Sequence, residues 1–186
     1  MKKWKMSGRL PYLIAPVLIL LLWITKREQT VPSVLLLQAV LLAFGAAASL
    51  WDLREKRIPN RLILYMLGAW VLIVVPQLFF QTEQALALLA SGLIGALLGG
   101  ILFLTVYMVS RKGLGGGDVK LMAVSGLYLG AGSVLPAMLY GSVLAAVTAG
   151  VLIALKKIGR KDAIPLVPFL YAGMLITVFI QGGVII

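Results

Sequence analysis

Long apolar segments alternate with short polar loops along almost the whole chain. Most of these segments approach the roughly 20 residues that a helix needs to cross a bilayer. The apolar segments cover residues 10–25, 34–51, 62–80, 85–109, 119–135, 137–155 and 166–185. Glycine, serine and tyrosine residues interrupt the fifth segment, which predicts a short or partly unwound helix there. The pattern as a whole predicts an all-α membrane protein, a polytopic helical bundle of about seven transmembrane helices.

The basic residues are distributed unequally between the two ends of the predicted spans. If the amino terminus is cytoplasmic, all of the 17 lysines and arginines except Lys26 and Arg27 lie on the cytoplasmic side. The cytoplasmic set is Lys2, Lys3, Lys5, Arg9, Arg54, Lys56, Arg57, Arg61, Arg111, Lys112, Lys120, Lys156, Lys157, Arg160 and Lys161. This asymmetry predicts a cytoplasmic amino terminus. It also explains the net charge of +11 through contact with anionic membrane lipid, so no nucleic-acid partner is expected.

The chain contains no linker or repeat, and one domain is therefore expected over residues 1–186. Three lysines precede the first apolar segment, as they would in a secretory signal, but no small-residue cleavage site follows it. We interpret residues 1–33 as a basic segment and an uncleaved anchor helix.

The composition restricts the chemistry that the chain can perform. It contains no histidine and no cysteine, which excludes a Ser-His triad, a Cys-His pair and the common zinc and iron sites. Catalysis would have to use carboxylates, hydroxyls, lysines or arginines. No metal and no cofactor is predicted.

Two of the three aspartates, Asp52 and Asp118, lie where predicted spans meet basic loops. An ionisable group beside hydrocarbon is costly and is by default a candidate functional residue. The predicted topology places Asp52 at the inner end of the second span and Asp118 at the inner start of the fifth. Two carboxylates brought close together tend to hold a single proton between them. One can then act as general base on a water while the other hydrogen-bonds the carbonyl under attack.

Each aspartate also has a simpler interpretation. Asp118 follows three glycines and precedes an apolar segment, which is typical of a helix N-cap. Asp52 lies among basic residues and would then be a solvated ion-pair partner. Asp162, between Arg160 and Lys161, has the same simple interpretation and no further feature that points to function.

Two sequence runs around these aspartates resemble the type IV prepilin peptidases, the bacterial branch of the GxGD intramembrane aspartyl proteases. The resemblance covers residues 40–175. Its motifs are Asp52-Leu-Arg-Glu-Lys-Arg-Ile58-Pro59-Asn60, Gly113-Leu-Gly115-Gly116-Gly117-Asp118-Val119-Lys120-Leu121, Leu129-Gly130, Leu135-Pro136 and Ile164-Pro165-Leu-Val-Pro168-Phe169.

The resemblance implies that Asp52 and Asp118 are the catalytic dyad of an aspartic peptidase. It further implies that the protein removes the short basic leader of a prepilin or pseudopilin at the cytoplasmic face of the bacterial plasma (inner) membrane. Members that also methylate the new amino terminus usually carry a cytoplasmic insert with paired cysteines. This chain has no cysteine, and only a brief loop over residues 26–32 separates its first two predicted spans. A short, peptidase-only form is therefore expected.

Several neighbours of the aspartates are candidates for shaping the site. Gly115, Gly116 and Gly117 permit positive φ angles and close backbone approach, so they either admit a substrate strand beside Asp118 or form a flexible turn. Lys120 either acts on a nearby carboxylate or anchors the helix at the membrane surface.

Pro59 and Asn60 are expected to have a structural role. Proline should keep the preceding residue extended, and Asn60 is a candidate N-cap of the third span. In the fourth span, Gly95 and Gly99 have the spacing of close helix packing.

Three alternatives to an active aspartic peptidase remain open. A Ser-Lys hydrolase would use Ser110 with Lys112. A non-enzymatic small transporter or pilus-assembly membrane subunit would use the aspartates as a proton or cation relay. A relative that binds prepilin without cleaving it is the third.

Overall fold

A computed structural model describes residues 10–26, 30–110, 114–157, 159 and 164–181 of the chain. The helices in these ranges are α1 Leu10–Lys26, α2 Pro32–Glu55, α3 Asn60–Phe80, α4 Thr82–Val109, α5 Gly116–Ala154 and α6 Val167–Gln181. The described residues contain no strand, which confirms the all-α prediction. Helices α2, α3, α4 and α5 are long and apolar enough to cross a membrane, and α1 and α6 are shorter apolar helices. The chain is therefore a polytopic helical membrane protein.

Helix α2 is the most buried of the four long helices, whereas much of α3 faces outward. The buried side of α2 runs from Val34 to Asp52. Large apolar side chains of α3 lie outside, and Phe79 and Phe80 are 82% and 86% exposed. Exposed apolar side chains in such number fit a surface that contacts lipid.

Helix α5 consists of two arms, because the chain reverses direction at Gly130. This glycine has φ 72° and ψ 177°, a conformation that is not helical. A Cβ built on Gly99 of α4 would lie 2.7 Å from the Met122 carbonyl oxygen and 3.2 Å from Val134 Cγ2. In a straight helix, the twelve residues from Met122 to Val134 would span about 18 Å. The first arm, residues 116–129, and the second arm, residues 131–154, therefore both lie against α4.

The predicted spans 119–135 and 137–155 thus belong to one 39-residue element that is bent at Gly130. The interruption expected in the fifth span corresponds to this reversal. The division was predicted near Pro136, but proline is accommodated inside the second arm and the reversal occurs at the glycine. The physical reason is that positive φ is readily available to glycine and not to other residues.

Side chains of α3 and α4 replace one of the backbone hydrogen bonds that are broken at the reversal. In a continuous helix, the Ala131 N–H would donate to the Leu127 carbonyl. Here it donates to Ser91 Oγ at 3.2 Å, and the Leu127 carbonyl accepts from Trp70 Nε1 at 2.9 Å. Tyr128 Oη also donates to the Met66 carbonyl. These bonds matter because an unsatisfied backbone group in an apolar environment costs several kcal/mol.

Small residues allow α4 to approach both arms of α5 closely. Gly95 and Gly99 are buried, and Gly95 contacts Gly126 and Gly130 through their backbones. The packing role predicted for the Gly95–Gly99 spacing is confirmed. Gly100 faces Ala123 instead, where an added Cβ would lie 3.2 Å from the alanine Cβ.

Helix α6 packs between α2 and the second arm of α5. The Tyr171 ring covers Gly45 of α2, where an added Cβ would lie 2.6 Å from Tyr171 Cδ2. On the other side, a Cβ added at Gly141 would lie 2.8 Å from the Leu170 Cα. These contacts place the first half of α6 between the middle of α2 and the second arm of α5.

Candidate active site

Asp52 lies in the last turn of α2, buried against the first residue of α6. Its side chain is only 6% exposed, and its Oδ2 accepts a hydrogen bond from the Val167 backbone N–H at 3.0 Å. The first turn of a helix carries unsatisfied N–H groups and a partial positive charge, both of which favour a carboxylate. The positive charge of Lys56 also acts on this carboxylate. Asp52 is therefore buried and not solvated, which corrects that part of its simpler interpretation.

Helix α2 ends directly after the Asp52 turn. Lys56 adopts a left-handed conformation with φ 51° and ψ 36°, and its N–H donates to the Asp52 carbonyl at 2.9 Å. A left-handed residue other than glycine, asparagine or aspartate is uncommon. This cap directs the chain into the loop of residues 57–59, which leads to α3.

Asp118 is the third residue of α5 and is partly exposed. The N-cap of α5 is Gly115 and not Asp118, which corrects the N-cap interpretation of Asp118. Asp118 Oδ2 accepts the Gly115 N–H at 3.2 Å, and the Asp118 N–H donates to the Gly115 carbonyl at 3.1 Å. This is the bond that an acidic residue makes at the third position of a capping box. Glycine has no side chain to complete the box.

The two carboxylates lie near one another although they belong to different helices. Asp52 and Asp118 are close enough for the charge of Asp52 to act unfavourably on a charge at Asp118. This repulsion disfavours the state in which both are ionised. Two such groups can divide the roles of proton acceptor and proton donor between them.

The loop after Asp52 contacts the residues on either side of Asp118. A Cβ added at Gly117 would lie 3.2 Å from Ile58 Cβ. Lys120 Nζ donates to Asn60 Oδ1 at 3.1 Å. The two sequence motifs that carry the aspartates therefore pack directly on each other.

Asn60 is not the N-cap of α3, which corrects the prediction. The N-cap is Pro59, with φ −68° and ψ 133°, and Asn60 is the first helical residue. Because Lys120 donates to Asn60 Oδ1, the asparagine side chain binds α5 rather than its own helix. Lys120 is exposed, and in the described hydrogen bond its ammonium group donates to an amide oxygen and not to a carboxylate.

The three glycines before Asp118 differ in what surrounds them. None of the three has a positive φ, and among the described residues the glycine with a positive φ is Gly130. An added Cβ would lie 3.0 Å from Asp118 Oδ2 at Gly115 and 3.2 Å from Ile58 at Gly117, and would meet nothing within 4 Å at Gly116. Glycine is favoured at positions 115 and 117 because other atoms lie close to the backbone there, and not because the backbone needs a conformation that only glycine adopts. The third leaves an open face beside Asp118.

Some candidate residues lie outside the described parts of the chain. These are Asp162, Lys112, Arg9, Arg27, Arg111, Arg160, Lys161 and the lysines at 2, 3 and 5. Ser110 is described and exposed, and its hydroxyl donates to the Tyr107 carbonyl at 3.3 Å. Among residues 10–26, 30–110, 114–157, 159 and 164–181, no three acidic side chains meet in a way that could hold a metal ion.

Sequence reasoning missed the Val167 N–H and the Ile58 side chain as neighbours of the aspartates. The only sequence signal for the Val167 N–H was the proline-rich run at the start of α6. Pro168 lies in the first turn of that helix, where proline is common. No local signal connects this run to Asp52, which is 115 residues away.

The model of the type IV leader peptidase family matches residues 39–150, a range that contains both aspartates. The chain belongs to this family. Two curated members of this peptidase family match most of the chain, and both are called prepilin leader peptidase/N-methyltransferase. The protein from Xanthomonas campestris pv. campestris is 30% identical over 136 residues, which cover 70% of this chain and 45% of the relative. The protein from Bacillus subtilis is 25% identical over 138 residues, which cover 73% of this chain and 51% of the relative.

The chain spans about half the length of these relatives. No solved structure matches it.

Proposed function

We propose that this chain is a membrane-embedded aspartyl endopeptidase that removes the short basic leader from type IV prepilin or pseudopilin-like precursors. The observation that supports the proposal is that the residues following Asp52 pack on the start of α5, which carries Asp118: Ile58 lies against Gly117, and Lys120 Nζ donates to Asn60 Oδ1 at 3.1 Å. Family membership supports leader removal as the reaction. The family match over residues 39–150 also supports a single peptidase domain in this region.

The reaction needs one proton shared between the two carboxylates. The ionised member accepts a proton from a water molecule, and the water oxygen bonds to the carbonyl carbon of the scissile peptide. The protonated member donates to the carbonyl oxygen as negative charge develops there. The carbon–nitrogen bond then breaks, and the leaving amine takes the proton that the water gave up. The proton on the former carbonyl oxygen returns to the carboxylates, which restores the singly protonated pair. No nucleophilic side chain and no metal takes part in these steps.

The hydrogen bond from Val167 holds one of the two acids in place. Because Asp52 Oδ2 is bound to the first N–H of α6, this carboxylate has a defined orientation before substrate arrives. Asp118 is partly exposed, and its position at the start of α5 leaves it accessible from the membrane surface. In our proposal Asp52 is the fixed partner and Asp118 is the partner that meets substrate.

Gly116 provides the route by which a substrate backbone reaches Asp118. It is exposed, and a side chain added there would meet no described atom within 4 Å. An extended peptide can therefore pass close to the start of α5. Replacing Gly116 by valine should fill this space and raise KM for the prepilin, with a smaller effect on kcat.

The charge distribution supports a site at the cytoplasmic face of the plasma (inner) membrane. The α2–α3 loop and the start of α5 carry exposed basic residues beside the aspartates: Arg54, Lys56, Arg57, Arg61 and Lys120. Basic loops are retained on the cytoplasmic side. If the two arms of α5 are counted separately, the helices supply about seven membrane segments with a cytoplasmic amino terminus. A leader that stays inside and a pilin helix in the bilayer would then meet the site at the membrane surface.

The proposal is tested by co-expression of the protein with a candidate prepilin and detection of leader removal by gel shift. Asp52→Asn and Asp118→Asn should each abolish cleavage, because either change removes one of the two acid–base groups. Asp162→Asn is the matched control and should cleave normally. Cleavage that persists in either of the first two variants would refute the dyad, and proton or cation movement without cleavage would favour the relay alternative.

Two further measurements define the reaction. Purified enzyme should cleave in the presence of a metal chelator, since the carboxylates alone activate water. The mass of the amino-terminal peptide of the mature pilin should show no added methyl group when this protein is the only processing enzyme present.

A further inference from the structure

The loop between α2 and α3 connects the two aspartates mechanically. Ile58 follows Asp52 by six residues, and Gly117 directly precedes Asp118. A Cβ on Gly117 would lie 3.2 Å from Ile58 Cβ and 3.5 Å from both Ile58 Cγ1 and Cδ1. The isoleucine side chain therefore packs against the Gly117 backbone, and a methyl group added at Gly117 would require Ile58 to move by a few tenths of an ångström.

This contact joins two segments that have little freedom to move. Isoleucine is branched at Cβ and is restricted in χ1. The next residue, Pro59, has its φ fixed by its ring. Beyond it, Lys120 Nζ binds Asn60 Oδ1 at 3.1 Å and forms a second connection to α5. Ile58 in the α2–α3 loop and Asn60 at the start of α3 thus contact the start of α5 at two points, one on each side of Asp118 in the sequence.

We propose that Ile58, packed on Gly117, sets the separation of the Asp52 and Asp118 carboxylates. Ile58 and Gly117 are then positioning residues for the peptide cleavage proposed above, and this inference rests on that proposed function. Two acids that share a proton and activate one water need a defined separation, and an error of about 1 Å in such a geometry can lower the rate about 100-fold. A displacement of a few tenths of an ångström should have a smaller but measurable effect.

The first test is Gly117→Ala in the full chain, with cleavage of a prepilin measured as kcat and KM. The added methyl group should push Ile58 away and lower kcat about tenfold, while KM stays within about twofold of wild type. Gly150→Ala is the matched control, because Gly150 lies in the same helix and an added Cβ meets nothing within 4 Å. Alanine is the better helix former, so the thermal unfolding midpoint should not fall in either variant. A loss of kcat in a stable protein separates positioning from folding.

The second test is a double-mutant cycle between Ile58 and Gly117. Ile58→Val keeps Cβ and a Cγ atom on Gly117 and should retain most of kcat. Ile58→Ala removes Cγ1 and Cδ1 from the contact and should lower kcat. In the double variant Ile58→Ala/Gly117→Ala, the methyl added on one side occupies part of the space vacated on the other. Its loss of kcat should therefore be smaller than the product of the two single losses.

Two results would overturn the positioning role. One is a Gly117→Ala enzyme with the kcat of Gly150→Ala, and the other is independent, multiplicative effects in the cycle. If Asp52→Asn and Asp118→Asn are inactive while Gly117→Ala is fully active, the proposed function stands and only the positioning role fails. If the wild-type protein cleaves no prepilin, or if those aspartate variants cleave normally, both fail. Should Gly117→Ala not fold, the comparison of Ile58→Val with Ile58→Ala decides the question.

Discussion

The two ends of the first arm of α5 are fixed in different ways. At the buried end, Gly130 reverses the chain, Trp70 binds the Leu127 carbonyl and Ser91 binds the Ala131 N–H. At the exposed end, the described hydrogen bond of the Asp118 side chain is with its own N-cap residue, Gly115, and Ile58 and Asn60 of the adjacent loop and helix contact the arm.

The difference follows from what surrounds each end. In an apolar interior an unsatisfied backbone group is costly, and at the reversal the Ala131 N–H and the Leu127 carbonyl both bind side chains of other helices. At the membrane surface water can satisfy exposed groups, and fewer protein bonds are needed. The exposed end therefore keeps a carboxylate accessible for chemistry. We expect changes at Gly130 to lower stability and changes near Asp118 to lower activity.

The largest effect on stability is expected for Gly130→Ala. The conformation at φ 72° and ψ 177° is adopted almost only by glycine. A side chain there should lower the free energy of unfolding by about 3 kcal/mol. Thermal unfolding in detergent measures the change, with Gly150→Ala as the control in the same helix. An unchanged midpoint would contradict the strained reversal.

Smaller losses of stability are expected for Trp70→Phe and Ser91→Ala. The first leaves the Leu127 carbonyl and the second leaves the Ala131 N–H without its partner, at a cost of about 2 kcal/mol each. Ser91→Thr keeps the hydroxyl and serves as a control. Unfolding midpoints test this prediction, and it fails if Ser91→Ala and Ser91→Thr are equally stable.

Substitutions near Asp118 are expected to change catalytic activity more than stability. A Cβ at Gly115 would lie 3.0 Å from Asp118 Oδ2 and should displace the carboxylate. Gly115→Ala should therefore lower kcat for prepilin cleavage about tenfold, while the free energy of unfolding changes by no more than about 0.5 kcal/mol. Kinetics and thermal unfolding of the same preparation test both halves of the prediction. A variant that loses stability in proportion to its activity would show that the two ends of the arm do not differ.

The smallest effect is expected for Lys120→Met. This change removes the exposed hydrogen bond to Asn60 and keeps most of the side chain volume. A hydrogen bond at the surface contributes about 0.5 kcal/mol, so kcat should fall by no more than about twofold. Asn60→Ala should give the same result, and the double variant should be no worse than either. A tenfold loss in Lys120→Met would instead indicate direct contact of the ammonium with substrate.

The helices of the described chain could be predicted largely from the sequence because apolar length is a local property. The apolar segments locate α1 to α4 and α6 within a few residues. The predicted boundary between the fifth and sixth spans was placed at the proline, but a glycine carries the reversal. Hydropathy does not report φ, and the reversal also depends on Trp70 and Ser91 from two other helices.

The two acidic residues of the candidate site could be predicted from the sequence, but the residues that contact the site could not. Asp52 and Asp118 stand out because few acids occur in so apolar a chain. Asn60 was expected to cap its own helix, since that is the usual local role of such a residue. It binds Lys120 instead, 60 residues away, because the α2–α3 loop packs on α5.

The sequence by itself determined that the protein is an apolar helical chain with two candidate catalytic carboxylates, because hydropathy, charge and motif spacing are properties of neighbouring residues. Only the tertiary structure decided that Asp52 is buried against the first N–H of α6, that Ile58 packs on Gly117, and that α5 folds back at Gly130. The physical reason is that these features depend on contacts between distant segments. Such contacts form only when helices that are distant in sequence pack against one another, which buries apolar surface and gives the Leu127 carbonyl and the Ala131 N–H their side-chain partners.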